Sequence, residues 1–163
     1  MRMYGPLLVT LALVLSCSAL AEVTAEWREG LVVSVHDGDT LTVLIGKQQL
    51  KVRLAEVDAP ELRQPFGQRS RQSLAAICFH ETAKVELIAR DRYGRSVGKV
   101  QCSGKDAGRH QVSSGMAWVY ERYAPKDSPL YGVQAEARSA RLGLWADAEP
   151  IPPWEWRKTG RDR

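Results

Sequence analysis

Hydrophobic positions along the chain follow three regimes. Residues 7–15 are apolar but for Thr10. From Leu31 a second regime begins, in which short β-branched runs alternate with polar residues. Leu31–His36 runs into the turn signal Asp37-Gly38. Thr40–Ile45 then places Leu41, Val43 and Ile45 on one face and Thr40 and Thr42 on the other. Gly46-Lys47 is a hairpin turn into a third strand, Gln48–Val57, which Pro60 ends. The period changes over Gly67–Cys78, where Leu74, Ile77 and Cys78 recur at helical spacing beneath Arg69, Gln72 and Ser73. Alternation returns in Thr82–Ala89, and the turn Arg90–Gly94 leads to a fifth strand, Arg95–Cys102. Asp106 is an N-cap signal for a short helix ending near Gly115, Met116–Tyr123 packs back on the strands, and Leu130–Arg141 reads as a last amphipathic helix stopped by Gly143. The third regime, Glu149–Trp156, is rich in Pro and Trp and predicts no regular element. Arg157–Arg163 reads as a charged, frayed end.

Five short strands, with a helix between the third and fourth and helices after the fifth, is the element order of an OB-fold, a small partly open barrel in an α+β chain. The expected division is a signal peptide over 1–21, a linker over 22–30, the barrel domain over 31–145 and a Pro/Trp-rich tail over 146–163. The leader is too short to cross a membrane, and Ala19-Leu20-Ala21 has the small residues of a cleavage site, so the expected address is outside the cytoplasm, periplasmic or secreted. A second reading stands beside it. Val14-Leu15-Ser16-Cys17 resembles a lipoprotein box, which would tie the chain to a membrane through a lipid on Cys17.

Composition narrows this only slightly. Removing 1–21 takes one arginine from the 23 basic side chains against 19 acidic and leaves a net charge of +3, a mild preference for anionic partners. Cysteine says more. Cys78 and Cys102 are left as an even pair, which in an exported domain reads as a disulfide; two separate buried thiols are the other reading. The histidines His36, His80 and His110 have no zinc-ligand spacing.

The chemistry concentrates at strand ends. Asp39, Asp58 and Glu61 stand at turns, Arg53 lies inside the third strand, and a further arginine occurs in Asp91-Arg92-Tyr93-Gly94-Arg95. Hard carboxylate oxygens beside guanidinium forks suit a divalent cation and a phosphate held together. Each residue alone has an ordinary explanation: Asp37-Gly38-Asp39-Thr40 is a common turn, Arg53 can pair with Glu56, and Arg95 can be a solvated charge. Strict alternation even puts Arg53 and Asp58 on opposite faces, so one site requires the strand to bend near Val57.

Taken together, these residues resemble the staphylococcal-nuclease family of calcium-dependent phosphodiesterases, and the resemblance runs from about Leu31 to Trp145. It implies an OB barrel with three helices and a Ca2+ cofactor held by Asp39, Asp58 and the backbone carbonyl of Ala59, with Asp37 behind them. It further implies that Glu61 acts as general base, that Arg53 and Arg95 contact the phosphate, and that Tyr93 contacts substrate. Ala59 stands where the best-known member of the family has a threonine, and Leu62–Gln68 is shorter and less lysine-rich than the family's loop. Trp118, Tyr120 and Tyr123 are candidates for base stacking, Tyr123 the favoured one, and Arg69 and Arg71 could follow a phosphate backbone. The implied function is an endonuclease on DNA and RNA with little sequence preference, acting as a monomer. The alternative is a barrel that binds nucleic acid without cutting it.

Overall fold

The computed structural model describes residues 26–160; the leader, Ala19-Leu20-Ala21, Cys17 and residues 161–163 lie outside them. Five strands form the barrel: β1 (Trp27–Val35), β2 (Thr40–Ile45), β3 (Gln48–Leu54), β5 (Thr82–Arg90) and β6 (Ser96–Cys102). The sheet runs β3-β2-β1-β5-β6, and a parallel pairing of β3 with β6, Arg53 opposite Val97, closes it. Register shifts between Val32 and Ser34 in β1 and between Leu87 and Ala89 in β5 bend the two longest strands, as closure of a small barrel requires. The interior is filled by the inward residues that alternation selected, including Val32, Leu41, Val43, Val52, Leu54, Val85 and Val100, each 1% exposed or less.

Short strands β4 (Val57–Asp58) and β8 (Trp118–Val119) pair with each other beside the barrel, and β7 (Lys105–Asp106) folds back to pair antiparallel with the end of β6. Helix α1 (Gly67–Cys78) covers one barrel end through Leu74 and Cys78. Helix α2 (Ala107–Ser113) is capped as expected, the Asp106 carboxylate accepting from Arg109 N. Cys78 and Cys102 are joined in a disulfide with S–S 2.06 Å, tying the end of α1 to the end of β6. Chain-entropy arguments give that link about 3–4 kcal/mol.

Three expectations need correcting. The stretch 22–30 is not all linker: β1 begins at Trp27, because its backbone pairs with β5 (Trp27 opposite Glu86) although its side chains do not alternate in hydrophobicity. The third strand does not run unbroken to Val57. It stops at Leu54, Glu56 takes a left-handed φ of 65°, and β4 restarts at Val57. The tail is regular: helix α4 (Pro153–Lys158) follows α3 (Leu130–Ser139) and a 3-10 turn at Gly143–Ala146. Pro153 at its first position, Glu155 early and Arg157 and Lys158 late make a short helix favourable, and burial of Pro153 and Trp156 fixes it. The described residues thus hold four α-helices where three were expected.

Candidate active site

The bend at Glu56 carries the site. Because β3 breaks there, Asp58 returns to the face on which Arg53 lies, and Arg53 Nη2 stands 2.8 Å from Asp58 Oδ1 and 3.5 Å from Asp39 Oδ2. Arg53 is therefore not paired with Glu56, whose carboxylate accepts from Ser128 Oγ at 2.6 Å. Asp39 arrives on the β1–β2 turn. Its Oδ2 accepts the Ala59 N–H at 3.0 Å, its Oδ1 accepts the Thr40 hydroxyl at 2.8 Å, and its carbonyl accepts Leu54 N–H at 2.7 Å. Two carboxylates from separate turns thus converge on one guanidinium.

The β1–β2 turn is held from below. A Cβ on Gly38 would strike Ser70 of α1 and Ala59, so glycine is required for the turn to approach that helix. Fully buried Gln111 of α2 donates from Nε2 to Gly38 O at 2.6 Å and to Ser70 O at 3.0 Å. His36 bonds Thr42 Oγ1 at 2.8 Å, the structural role expected of it.

Burial sets the electrostatics. It pushes the Asp58 carboxyl above its ordinary range, and the nearby Asp39 charge adds to this, against the pull of Arg157 and Arg53. Burial, with the charge of Asp39 next, raises Asp37 further, to about 7. Arg53 is raised as well: burial works against its charge, but Asp39 and Asp58 outweigh it. This barrel end holds more negative charge than its solvation supports.

Residues 51–147, more than half of the chain, match the family model described as Staphylococcal nuclease homologue. The chain belongs to that family. It is 41% identical over 148 residues to a micrococcal nuclease of Shigella flexneri, covering 85% of this chain and 84% of that one. It is 42% identical to an uncharacterized endonuclease of Escherichia coli over 129 residues, 78% of this chain and 84% of that one. A staphylococcal-like nuclease of Arabidopsis thaliana is 38% identical over 114 residues, 70% of this chain but 35% of the larger plant protein.

Within this staphylococcal-nuclease fold the remaining site residues divide. Glu61, just past β4, lies beside Asp58. Arg95 and Tyr93 stand on the β5–β6 turn. There Arg95 Nε bonds Asp91 Oδ2 at 2.7 Å, and Asp91 also accepts the backbone N–H groups of Tyr93 and Arg95. Those bonds to Arg95 and Tyr93 outweigh desolvation and hold Asp91 below its ordinary pKa. The β3–β6 register puts this turn next to Arg53, but Arg95 pairs with Asp91 rather than with the carboxylates. Tyr93 is 69% exposed and Tyr123 64%. Tyr120 stands beside Arg53: its ring lies 5.9 Å from Arg53 Cζ and stacks on Trp154 at 5.3 Å, with Tyr123 edge-on at 5.0 Å. Trp118 packs against Trp145 and Trp154, as a structural aromatic does. Arg71 donates to Val35 O at 3.1 Å, and Arg69 lies over the Phe66 ring, so each has a packing role.

One residue at the site was not read from the sequence. Arg157 of α4 places Nη2 2.7 Å from Asp58 Oδ2 and Nη1 2.6 Å from Glu61 Oε1. Pro152-Pro153 ahead of Trp154-Glu155-Trp156-Arg157 was the available signal, a helix start with an aromatic anchor.

The donor chemistry fits a hard cation. Asp39 and Asp58 offer carboxylate oxygens at a buried position, where they share Arg53 and Asp58 also meets Arg157, and Asp37 stands behind them. Among the described residues no set of three or more His, Cys, Asp or Glu side chains is grouped to hold a metal. A cation here would accordingly take two carboxylates, the Ala59 carbonyl and water, a mixed shell that calcium accepts. A cleft of about 320 Å³ lined by Ile45, Leu50, Leu87 and Ile88 contains none of these residues; converging charge, not concavity, marks the site.

Proposed function

We propose that the chain is a calcium-dependent phosphodiesterase, an endonuclease that hydrolyses DNA and RNA with little sequence preference. The observation that carries this reading is the convergence of Asp39, Arg53 and Asp58 at a buried barrel end, with Glu61 at its rim. The nuclease names of the relatives support the same conclusion.

Calcium on Asp39, Asp58 and the Ala59 carbonyl would supply positive charge to a phosphate oxygen. Arg53 is fixed on its strand by Asp58 through Nη2. Its Nη1 makes a long 3.5 Å contact to Leu54 O, so that edge of the fork is positioned to donate to a phosphate oxygen where charge develops. Arg95, on a turn braced by Asp91, supplies a second fork once it exchanges that partner for substrate. Glu61 accepts the proton of the attacking water. Exposed Tyr93 and Tyr123 offer their rings to the nucleic-acid chain beside the phosphate. The Cys78–Cys102 disulfide supports an oxidising, exported location, and no helix among the described residues is long and apolar enough to cross a membrane. The proposed working unit is a monomer.

Cleavage of single-stranded DNA by the chain from Glu22 onward, with calcium, magnesium or chelator and beside Glu61→Ser and Arg95→Ala, tests this reading. Calcium-dependent cutting that collapses in both variants supports it. Binding without cutting in every metal leaves a nucleic-acid-binding barrel and overturns it.

A further inference from the structure

Helix α4 does more than close the fold. Buried Pro153 and Trp156 pin it to the barrel. Gln64 Nε2 donates to Ile151 O at 2.6 Å, just ahead of the helix, while Gln64 Oε1 accepts the Glu61 N–H at 3.2 Å. One side chain therefore ties the approach of the tail to the turn that carries Glu61. From this anchor Arg157 bridges two carboxylates. Besides its short bonds to Asp58 Oδ2 and Glu61 Oε1, it lies 3.4 Å from Asp58 Oδ1, the oxygen Arg53 already holds at 2.8 Å. Both oxygens of Asp58 are covered by guanidinium.

A cation bound to Asp58 and a water bound to Glu61 need the space between those carboxylates, and the Arg157 fork fills it. Resting on the function proposed above, we propose that Arg157 is a third arginine of the site: it neutralises Asp58 and Glu61 in the metal-free protein, yields Asp58 to the divalent cation, and then donates to the substrate phosphate. Three carboxylates, Asp39, Asp58 and Glu61, share the guanidiniums of Arg53 and Arg157. The two arginines also differ in freedom. The Arg53 side chain is 12% exposed within a barrel strand, whereas Arg157 is 38% exposed on the last helix and can turn away without moving the barrel.

The test is calorimetric titration of the chain from Glu22 onward with calcium, followed by titration of the calcium-loaded protein with a nucleoside monophosphate, which carries a phosphate but no diester to cut. Wild type, Arg157→Gln and Arg157→Lys are compared. Arg157→Gln is expected to bind calcium about three- to tenfold more tightly and the nucleotide about tenfold more weakly. Arg157→Lys, which keeps the charge but cannot bridge, should fall between on both axes. Circular dichroism checks that each variant is folded. A tail that only anchors the fold would weaken both ligands together or change neither, and either pattern overturns the proposal. Calcium binding that Asp58→Asn leaves untouched would overturn the metal-site reading and this proposal with it.

Discussion

The two arginines assigned to the phosphate, Arg53 and Arg95, occupy opposite kinds of place. Arg53 lies on a barrel strand, its side chain 12% exposed and wedged between Asp39 and Asp58. Arg95 lies on a hairpin turn, its side chain 29% exposed and paired with Asp91 four residues back. The buried half is held by its own ion pairs, whereas in the proposed reaction the turn half exchanges a local partner for substrate. Arg53 is consequently tied into the fold, and Arg95 is expected to be dispensable to it.

The sharpest way to break this comparison is to substitute each arginine and read activity and stability together. Arg53→Gln strips buried Asp39 of its guanidinium and leaves Asp58 to Arg157 alone, so cutting should fall about a thousandfold and chemical denaturation should show a loss of about 2–4 kcal/mol. Arg95→Gln should cost about a hundredfold or more in cutting and less than about 1 kcal/mol in stability, because its ion pair is local and partly solvated. Equal stability losses in the two variants would contradict the division.

The same contrast explains what the sequence made legible. Core positions such as Leu41, Val43 and Val85 followed from strict alternation, and Asp106 from capping chemistry. The carboxylates and Arg53 could be listed because turn residues and an in-strand arginine are conspicuous. Their convergence was legible as a requirement that the strand bend near Val57, but the residue that makes the bend, left-handed Glu56, was not, since no glycine or asparagine gave a signal. Arg157 was hidden for a different reason. Its pairing with Asp58 spans 99 residues, and a charged end following prolines looks the same in sequence whether it docks or not.

A third prediction concerns the brace at the far side of the barrel. Cys78→Ser with Cys102→Ser should lower stability by about 3 kcal/mol while leaving the cutting rate of the folded fraction unchanged, checked by denaturation and assay at low temperature. The buried half should also carry the pH response of the metal-free protein. Asp37 titrates near 3.8 when unfolded and at about 7 when folded, so the folded state holds the extra proton between those values. Stability in chelator should accordingly fall as pH rises from about 4 to 7 and level off above, and Asp37→Asn should flatten the slope in melting curves. The smallest effect belongs to the tyrosines flanking the charges. Tyr120→Ala, beside Arg53, should weaken binding of a short oligonucleotide about tenfold and Tyr123→Ala about twofold, measured by fluorescence anisotropy.

The most direct measurement is a crystal structure of the chain soaked in calcium, with the ion located by its anomalous signal. One ion is expected on Asp39, Asp58 and the Ala59 carbonyl, with Arg157 moved off Asp58 and Arg53 unmoved. An ion bound elsewhere, or none at a calcium concentration that supports cleavage, would contradict it.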